Sequence, residues 1–257
     1  MTETVCVCMA TYNGTGYLRE QLDSILAGLL PDDQVVIVDD ASTDGTVALL
    51  ETYRDARVTV YRNPKNLGYV KTFERALSLA DRDVIFLSDQ DDEWVPGRRD
   101  LLVEALRDRS IAAGDLVLLP DDSPLSSPLT GRPWRLAPLP SGGSLANELR
   151  LLAGDAPYYG CAMAIRREAS ELILPFPGFL VESHDLWIAT VGNTARVLAH
   201  VQSPVLRRRL HDANASAPRP RGLRKALQSR WMLLRAWREA SRRVAAARRL
   251  SRGRSAP

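Results

Sequence analysis

The chain has 257 residues and a formal net charge of +3, with 45% hydrophobic and 25% charged residues. This composition excludes a disordered or fibrous chain and predicts one large α/β domain or two small ones. No apolar run approaches the length of a transmembrane helix, the N-terminus lacks a secretion-signal pattern, and three cysteines are too few for a disulfide framework. We therefore expect a cytoplasmic protein with reduced thiols.

The first half of the sequence alternates strand-like and helix-like segments. Apolar runs predict strands at residues 4–9, 34–38, 58–61 and 84–88. Helical spacing of apolar residues predicts helices at residues 17–29, 43–53 (with Thr43 as the N-cap), 70–79 and 97–107. Strands that alternate with helices of this length are typical of βαβ units, so we expect a Rossmann-like, mostly parallel sheet flanked by helices.

The second half is less regular. We predict strands at residues 115–119, 158–165 and 195–201, helices at 145–152 and 184–191, a long loop at 120–143, and an Arg-rich helix at 223–250. Residues 205–257 contain 16 Lys and Arg side chains and two acidic side chains. Residues 1–204 contain 18 Lys and Arg side chains and 29 acidic side chains. This asymmetry favours an α/β domain over residues 1–214 and a basic tail over residues 215–257.

Acidic residues occupy comparable positions in three places. Asp39 and Asp40 follow the second predicted strand, Asp89, Asp91 and Asp92 follow the fourth, and Asp185 opens a later helix. Ligands of open α/β sheets bind at the carboxyl ends of the strands, so we expect these groups to share one edge. The clustered carboxylates repel one another, and Mg²⁺ or Mn²⁺ would remove that repulsion. A solvated acidic turn that caps the next helix is the alternative.

The first strand–helix turn lacks the established phosphate-binding patterns. Gly14 and Gly16 begin a dinucleotide fingerprint, but Arg19 occupies the position of its third glycine, and the sequence contains no P-loop. Tyr12 and Asn13 instead suit contacts to a base or a ribose. A tyrosine packed beneath the loop is the alternative.

The segments at residues 7–14, 38–46 and 86–94 resemble family 2 glycosyltransferases of GT-A fold. With residues 66–68 and 184–187, they look most like the rhamnosyltransferase-like branch. The resemblance covers about residues 4–214 and implies a dTDP- or UDP-sugar donor, possession of a DXD motif, and Mn²⁺ or Mg²⁺ as the cofactor. The nucleotide-sugar contacts that it implies are Ala10, Thr11, Tyr12, Asn13, Asp40, Asp89 and Gln90.

The same resemblance implies the remaining roles. Asp91 is expected to be the direct metal ligand, and Asp89 and His211 are further candidates. Asp185 would be the catalytic base, with an N-cap of its helix as the alternative. The acceptor-side residues that it implies are Gly160, Cys161, His184 and Trp187, with His184 hydrogen-bonded to its neighbour. We expect Trp187 to pack beside the site, with stacking on a sugar as the alternative. The family often has a Tyr-Arg pair before the histidine, whereas this chain has Arg208, Arg209 and Leu210.

These assignments predict a single displacement with inversion at the sugar carbon, onto a hydroxyl of a glycan or a lipid-linked acceptor. A sugar-phosphate nucleotidyltransferase is the second enzyme hypothesis, although the glycine-rich, lysine-bearing loop that it needs is absent from the sequence. A non-catalytic module that binds a nucleotide sugar or a membrane is the third.

The basic tail forms an amphipathic pattern. On a helical wheel, Leu227, Leu233, Leu234, Trp237 and Ala240 share one face, and most arginines lie on the other. A basic amphipathic helix over residues 221–250 suits an anionic membrane surface, and such an enzyme would be peripheral on the inner face of the plasma membrane. Docking on the body of the protein is the alternative. No sequence feature favours a nucleic-acid partner.

Overall fold

The computed structural model describes residues 2–128, 130–138, 144–211 and 222–254. The strands are, in chain order, β1 (Val5–Thr11), β2 (Gln34–Asp39), β3 (Val58–Arg62), β4 (Val84–Ser88), β5 (Glu93–Trp94), β6 (Ile111–Leu118), β7 (Ser123–Pro124), β8 (Met163–Arg166) and β9 (Leu198–Arg208). The helices are α1 (Leu18–Gly28), α2 (Thr46–Leu50), α3 (Tyr69–Leu79), α4 (Arg98–Ala105), α5 (Ser144–Ala153), α6 (Ser170–Ile173), α7 (His184–Ala195) and α8 (Leu223–Arg254).

The strands form one mixed sheet in the order β3-β2-β1-β4-β8-β6-β9-β5, with β7 paired to β6. The first-half strands β3, β2, β1 and β4 are parallel to one another. The second half adds β8 antiparallel to β4 and β6, while β9 runs parallel to β6. The predicted α/β class is confirmed, and the parallel part of the sheet lies in the first half of the chain.

Two hydrophobic clusters cover the two faces of the sheet. Cys6 and Cys8 of β1 belong to the cluster beneath α3, α7 and α8, whereas Val5 and Val7 belong to the cluster beneath α1 and α4. Successive side chains of a strand point to opposite faces, so a strand covered on both sides is apolar at every position. This explains why β1 is a continuous apolar run in the sequence.

Several predicted boundaries are wrong for identifiable reasons. Thr43 is not an N-cap: α2 begins at Thr46, whose backbone N–H donates to Asp44 Oδ1 at 2.9 Å. The strand predicted at 158–165 is shortened to β8 because residues 160–162 form a 3-10 turn. The strand predicted from residue 115 begins at Ile111, where it pairs with both β8 and β9.

The tail helix α8 packs against the body of the protein. Leu233, Ala236 and Ala240 are fully buried beside α7. Arg243 donates to the carbonyl oxygens of Leu172, Ile173 and Pro175, so it caps the end of α6. The docking alternative of the sequence analysis therefore describes this face of α8. The predicted domain boundary at residues 214 and 215 lies outside the described residues.

Among the described residues, no helix combines the length and the apolar character that crossing a bilayer requires.

Candidate active site

The predicted acidic residues converge on one cleft. The cleft has a volume of about 440 Å³ and lies where β1, β2 and β4 end. Asp40, Asp91 and Asp185 all line it, although they are far apart in sequence. The other predicted site residues that line it are Ala10, Thr11, Tyr12, Asp89, Gln90, Gly160 and His184.

Gln90 joins the end of β4 to the end of β1. Its Oε1 accepts from the Tyr12 backbone N–H at 2.9 Å, and its Nε2 donates to the Tyr12 carbonyl at 3.1 Å. A Cβ at Gly14 would lie 2.2 Å from Gln90 Oε1, so a side chain there would displace this amide from its present position. The Tyr12 side chain is 46% exposed in the cleft, which excludes the alternative that it packs beneath the loop.

Asn13 has a structural position beside the cleft rather than in its lining. Its backbone N–H donates to Ser42 Oγ at 2.9 Å, and its Oδ1 accepts from the Thr43 N–H at 2.9 Å. The residue adopts a φ of 48°, a conformation that Asn tolerates better than most residues. Asn13 thus fixes the turn after β1 to the loop after β2.

Asp40 fixes the loop at residues 66–68. Its Oδ1 accepts from the Leu67 N–H at 2.8 Å and from Asn63 Nδ2 at 2.7 Å, while its Oδ2 accepts from the Gly68 N–H at 2.8 Å. Gly68 has a φ of +83°, which favours glycine at this position. Asp40 still lines the cleft, where the second lone pair of Oδ2 can accept a further hydrogen bond.

The carboxylates after β4 have strongly altered acidity. Burial and the neighbouring charges of Asp92 and Asp91 raise the pKa of Asp89 to about 8. Burial and Asp91 likewise raise the pKa of Asp92 to about 6. Ligand atoms of Asp89, Asp92 and Cys161 lie within 4.8 Å of one another. The repulsion inferred from the sequence is therefore present among Asp89, Asp91 and Asp92.

His211 lies beside Asp91. Its Nε2 is 2.8 Å from Asp91 Oδ2, and its ring stacks on Tyr17 at a centroid distance of 4.9 Å. The Arg209 guanidinium also packs on the Tyr17 ring, at 4.8 Å. The predicted pair of Asp91 and His211 is thus brought together over 120 residues of sequence. The rest of the histidine-bearing segment, residues 212–214, lies outside the described residues.

Arg208 is a cleft residue that the sequence analysis treated only as a departure from the family pattern. It is 8% exposed and lines the cleft, and its guanidinium lies 4.4 Å from the centroid of the Tyr159 ring. The nearby carboxylates of Asp92 and Asp89 act on it electrostatically. A buried cation beside these acids can hold an anionic group. The available signal in the sequence was the run of three arginines at residues 207–209.

Asp185 lies in the first turn of α7. The N-cap is Ser183, which has a left-handed φ of 60°, so the N-cap alternative for Asp185 is wrong. Asp185 Oδ1 accepts from the Leu186 N–H at 2.8 Å. Burial raises the pKa of Asp185 to about 6. A carboxylate with this pKa is ionised at neutral pH and basic enough to accept a proton.

Three predicted acceptor-side assignments need correction. Trp187 is fully buried and donates its Nε1–H to the Ile173 carbonyl at 3.0 Å, so it cannot contact a substrate. Cys161 is 1% exposed and lies beneath Asp92 rather than in the cleft lining. His184 lines the cleft, but neither ring nitrogen has a hydrogen-bond partner among the described residues, so it does not orient Asp185 as expected.

The His184 ring is held by packing instead. It stacks on Phe73 at a centroid distance of 4.4 Å and meets Tyr69 edge-on at 5.7 Å. Burial lowers its pKa to about 3, which keeps the ring neutral. A Cβ at Gly160 would lie 2.8 Å from His184 Nε2, so this glycine leaves space for the ring.

Comparison with solved structures defines the class of fold. The crystal structure of S. aureus TarS 1–349 in complex with UDP-GlcNAc matches with a TM-score of 0.65 and 16% identity. The match covers 90% of this chain and 66% of that chain. The protein therefore has the GT-A fold expected from its motifs.

Sequence comparison defines the family. The model of Glycosyl transferase family 2 matches residues 6–174, more than half of the chain, so the chain belongs to this family. TuaG of Bacillus subtilis (strain 168), a protein named for teichuronic acid biosynthesis, is 31% identical over 126 residues, covering 47% of this chain and 50% of TuaG. The dTDP-rhamnosyl transferase RfbG of Shigella flexneri is 36% identical over 93 residues, covering 34% of this chain and 32% of RfbG. The chain thus spans half or less of these relatives.

Proposed function

We propose that this protein is an inverting glycosyltransferase that moves a sugar from a nucleoside-diphosphate sugar to a hydroxyl of a glycan or a lipid-linked acceptor. The observation that carries the proposal is the convergence of Asp40, Asp91 and Asp185 on one cleft. Membership of glycosyl transferase family 2 supports the reaction class. The donor proposed is a dTDP- or UDP-sugar, with rhamnose as the sugar, because RfbG is named for that transfer.

The proposed nucleotide site lies at the ends of the parallel strands. Tyr12 presents an exposed ring for stacking on a base, and Asp40 Oδ2 is the acceptor for the pyrimidine N3–H. Gln90 lines the cleft and also keeps the Tyr12 backbone in position. Arg208 supplies a fixed positive charge for the diphosphate.

The carboxylate cluster fits a divalent cation. The raised pKa of Asp89 and the buried Oδ2 of Asp92, which has no hydrogen-bond partner among the described residues, indicate that the protein alone stabilises the ionised carboxylates poorly. Carboxylate oxygens suit Mn²⁺ or Mg²⁺. Asp91 is the proposed principal ligand, with Asp89 and His211 beside it, and the cation would stabilise negative charge on the leaving diphosphate.

Asp185 is the proposed catalytic base. It accepts the proton of the acceptor hydroxyl as the oxygen forms its bond to the sugar carbon and the bond from that carbon to the diphosphate breaks. One base and no covalent intermediate give inversion in a single displacement. The neutral His184 and Gly160 border the same side of the cleft.

Donor turnover distinguishes the three hypotheses. With Mn²⁺ and a dTDP- or UDP-sugar, the proposed enzyme slowly releases the nucleoside diphosphate, and Asp185→Asn suppresses that release. Release of pyrophosphate from a sugar phosphate and a nucleoside triphosphate would instead identify a nucleotidyltransferase. A thermal shift with nucleotide sugars and no turnover with any acceptor would identify a binding module and contradict the proposal.

A further inference from the structure

The helix α8 has one apolar face that is buried and another that is exposed. The face that contains Leu233, Ala236 and Ala240 is buried against the body. Leu227, Trp231 and Leu234 are 70%, 65% and 45% exposed. At 100° per residue these three project within about 60° of one another, on the side opposite to the buried face. The apolar face read from the sequence is therefore divided between the protein core and a separate outer face.

The outer face of α8, defined by Leu227, Trp231 and Leu234, is bordered by positive charge. Arg224, Arg238 and Arg249 are exposed and project in the same direction. Glu239 is the one acidic residue of residues 222–254, and it is paired with Arg242 and Arg243 on the flank of the helix. The outer face thus combines an aromatic side chain and two leucines with exposed arginines that have no ion-pair partner in the described part of the chain.

We propose that the outer face of α8 binds an anionic phospholipid membrane. Trp and Leu side chains enter the boundary between headgroups and acyl chains, while arginines contact anionic headgroups, and both contributions are needed for stable binding. A nucleic acid would use the arginines but gives no reason for the exposed leucines. Negatively charged lipid satisfies both parts of the surface, so charge complementarity favours it.

The same helix fixes how the cleft would face the membrane. Lys225 of α8 projects toward the body and lines the cleft, and Ser229 one turn later donates to Glu182, another cleft residue, at 2.8 Å. The outer face is therefore separated from the rim of the cleft by about one helix diameter, roughly 10 Å. An acceptor held at the membrane surface would lie beside the cleft. The membrane inference itself does not depend on the proposed glycosyl transfer.

Vesicle flotation tests this surface. We expect the full chain to bind vesicles of phosphatidylglycerol and phosphatidylcholine, and to bind pure phosphatidylcholine at least about tenfold less. Trp231→Ser with Leu234→Ser lowers binding by at least about tenfold, because buried apolar area is lost. Arg238→Glu also lowers it by at least about tenfold, and raised salt weakens binding by the wild-type chain.

Matched controls keep the result specific. Leu30→Ser removes a leucine that is 41% exposed just before β2, at the end of the sheet opposite to the cleft. Arg109→Glu reverses an exposed charge on the body. Both controls should bind vesicles as the wild type does. Deletion of α8 is unsuitable because it would uncover the core beneath Leu233 and Ala236.

Equal binding to neutral and anionic vesicles would overturn the proposal, and so would outer-face variants that bind like the wild type. A dimer that Trp231→Ser with Leu234→Ser converts to a monomer would overturn it as well. Binding to duplex DNA without binding to vesicles would also overturn it. Thermal unfolding of each variant checks that the fold is intact. Donor hydrolysis is measured in parallel, so failure of the membrane surface and failure of the proposed enzyme activity remain distinguishable.

Discussion

The two walls of the cleft are held together in different ways. The strand wall, formed by Tyr12, Asp40 and Gln90, is joined by hydrogen bonds between side chains and backbone across neighbouring strand ends. The helix wall, formed by Gly160, His184, Asp185 and Lys225, contains a histidine ring fixed by aromatic stacking and a helix that comes from the far end of the chain. Hydrogen bonds therefore set the geometry of the strand wall, whereas the geometry of the helix wall depends on how α3, α7 and α8 pack.

The largest expected effect lies in the helix wall. Asp185→Asn should lower the transfer rate by roughly 10²–10⁴-fold while leaving donor affinity unchanged, because the amide cannot accept the proton. Steady-state rates and calorimetric titration of the nucleotide sugar measure the two quantities. Asp108→Asn, an exposed carboxylate after α4, is the control. Near-wild-type turnover by Asp185→Asn would reject the division of roles between the two walls.

Asp91→Ala should give the next largest effect. Loss of the principal proposed ligand should reduce Mn²⁺-dependent donor affinity by at least about tenfold, because the carboxylate carries the charge that attracts the cation. Calorimetry with and without Mn²⁺ measures this dependence. Unchanged affinity in the presence of Mn²⁺ would move the proposed metal site away from Asp91, toward the deeper group of Asp89, Asp92 and Cys161.

The pH dependence of transfer should sharpen the assignment of Asp185. Burial raises its pKa to about 6, so the carboxyl group is protonated and inactive below that pH and ionised above it. We expect kcat/KM to fall about tenfold per pH unit below pH 6 and to level off above it. The residual kcat/KM of Asp185→Asn should not show this fall below pH 6. A wild-type profile that is flat from pH 5 to pH 8 would contradict the base assignment.

Gln90→Ala should have the smallest effect, in the strand wall. Removing both hydrogen bonds to Tyr12 should weaken donor binding by about tenfold, corresponding to about 1–2 kcal/mol, because the Tyr12 backbone loses its position. The rate at saturating donor should change much less. Gln228→Ala, on the exposed side of α8, is the matched control. A loss of turnover without loss of affinity would mean that Gln90 contacts the reacting sugar, as the sequence analysis first predicted.

The sequence predicted the strand wall better than the helix wall for a physical reason. Parallel strands covered on both faces are apolar runs, and the polar residues that follow them mark the carboxyl edge. Asp40, Asp89 and Asp91 could therefore be assigned to one edge before the structure was known. Cys161 was misassigned because its burial depends on a 3-10 turn that has no local signal. The full burial of Trp187, which excludes stacking on a sugar, depends on the packing of α6, which has no local signal either.

Local chemistry in the sequence determined the α/β class, the carboxylate motif after β4 and the basic amphipathic character of α8. Packing across long sequence separations decided the rest: the 2.8 Å contact of His211 with Asp91, the burial of Arg208, and the projection of Lys225 into the cleft. It also decided which side of α8 faces the core and which is left outside. Periodicity shows that a helix has an apolar side, but the surface that covers that side is formed by other parts of the chain.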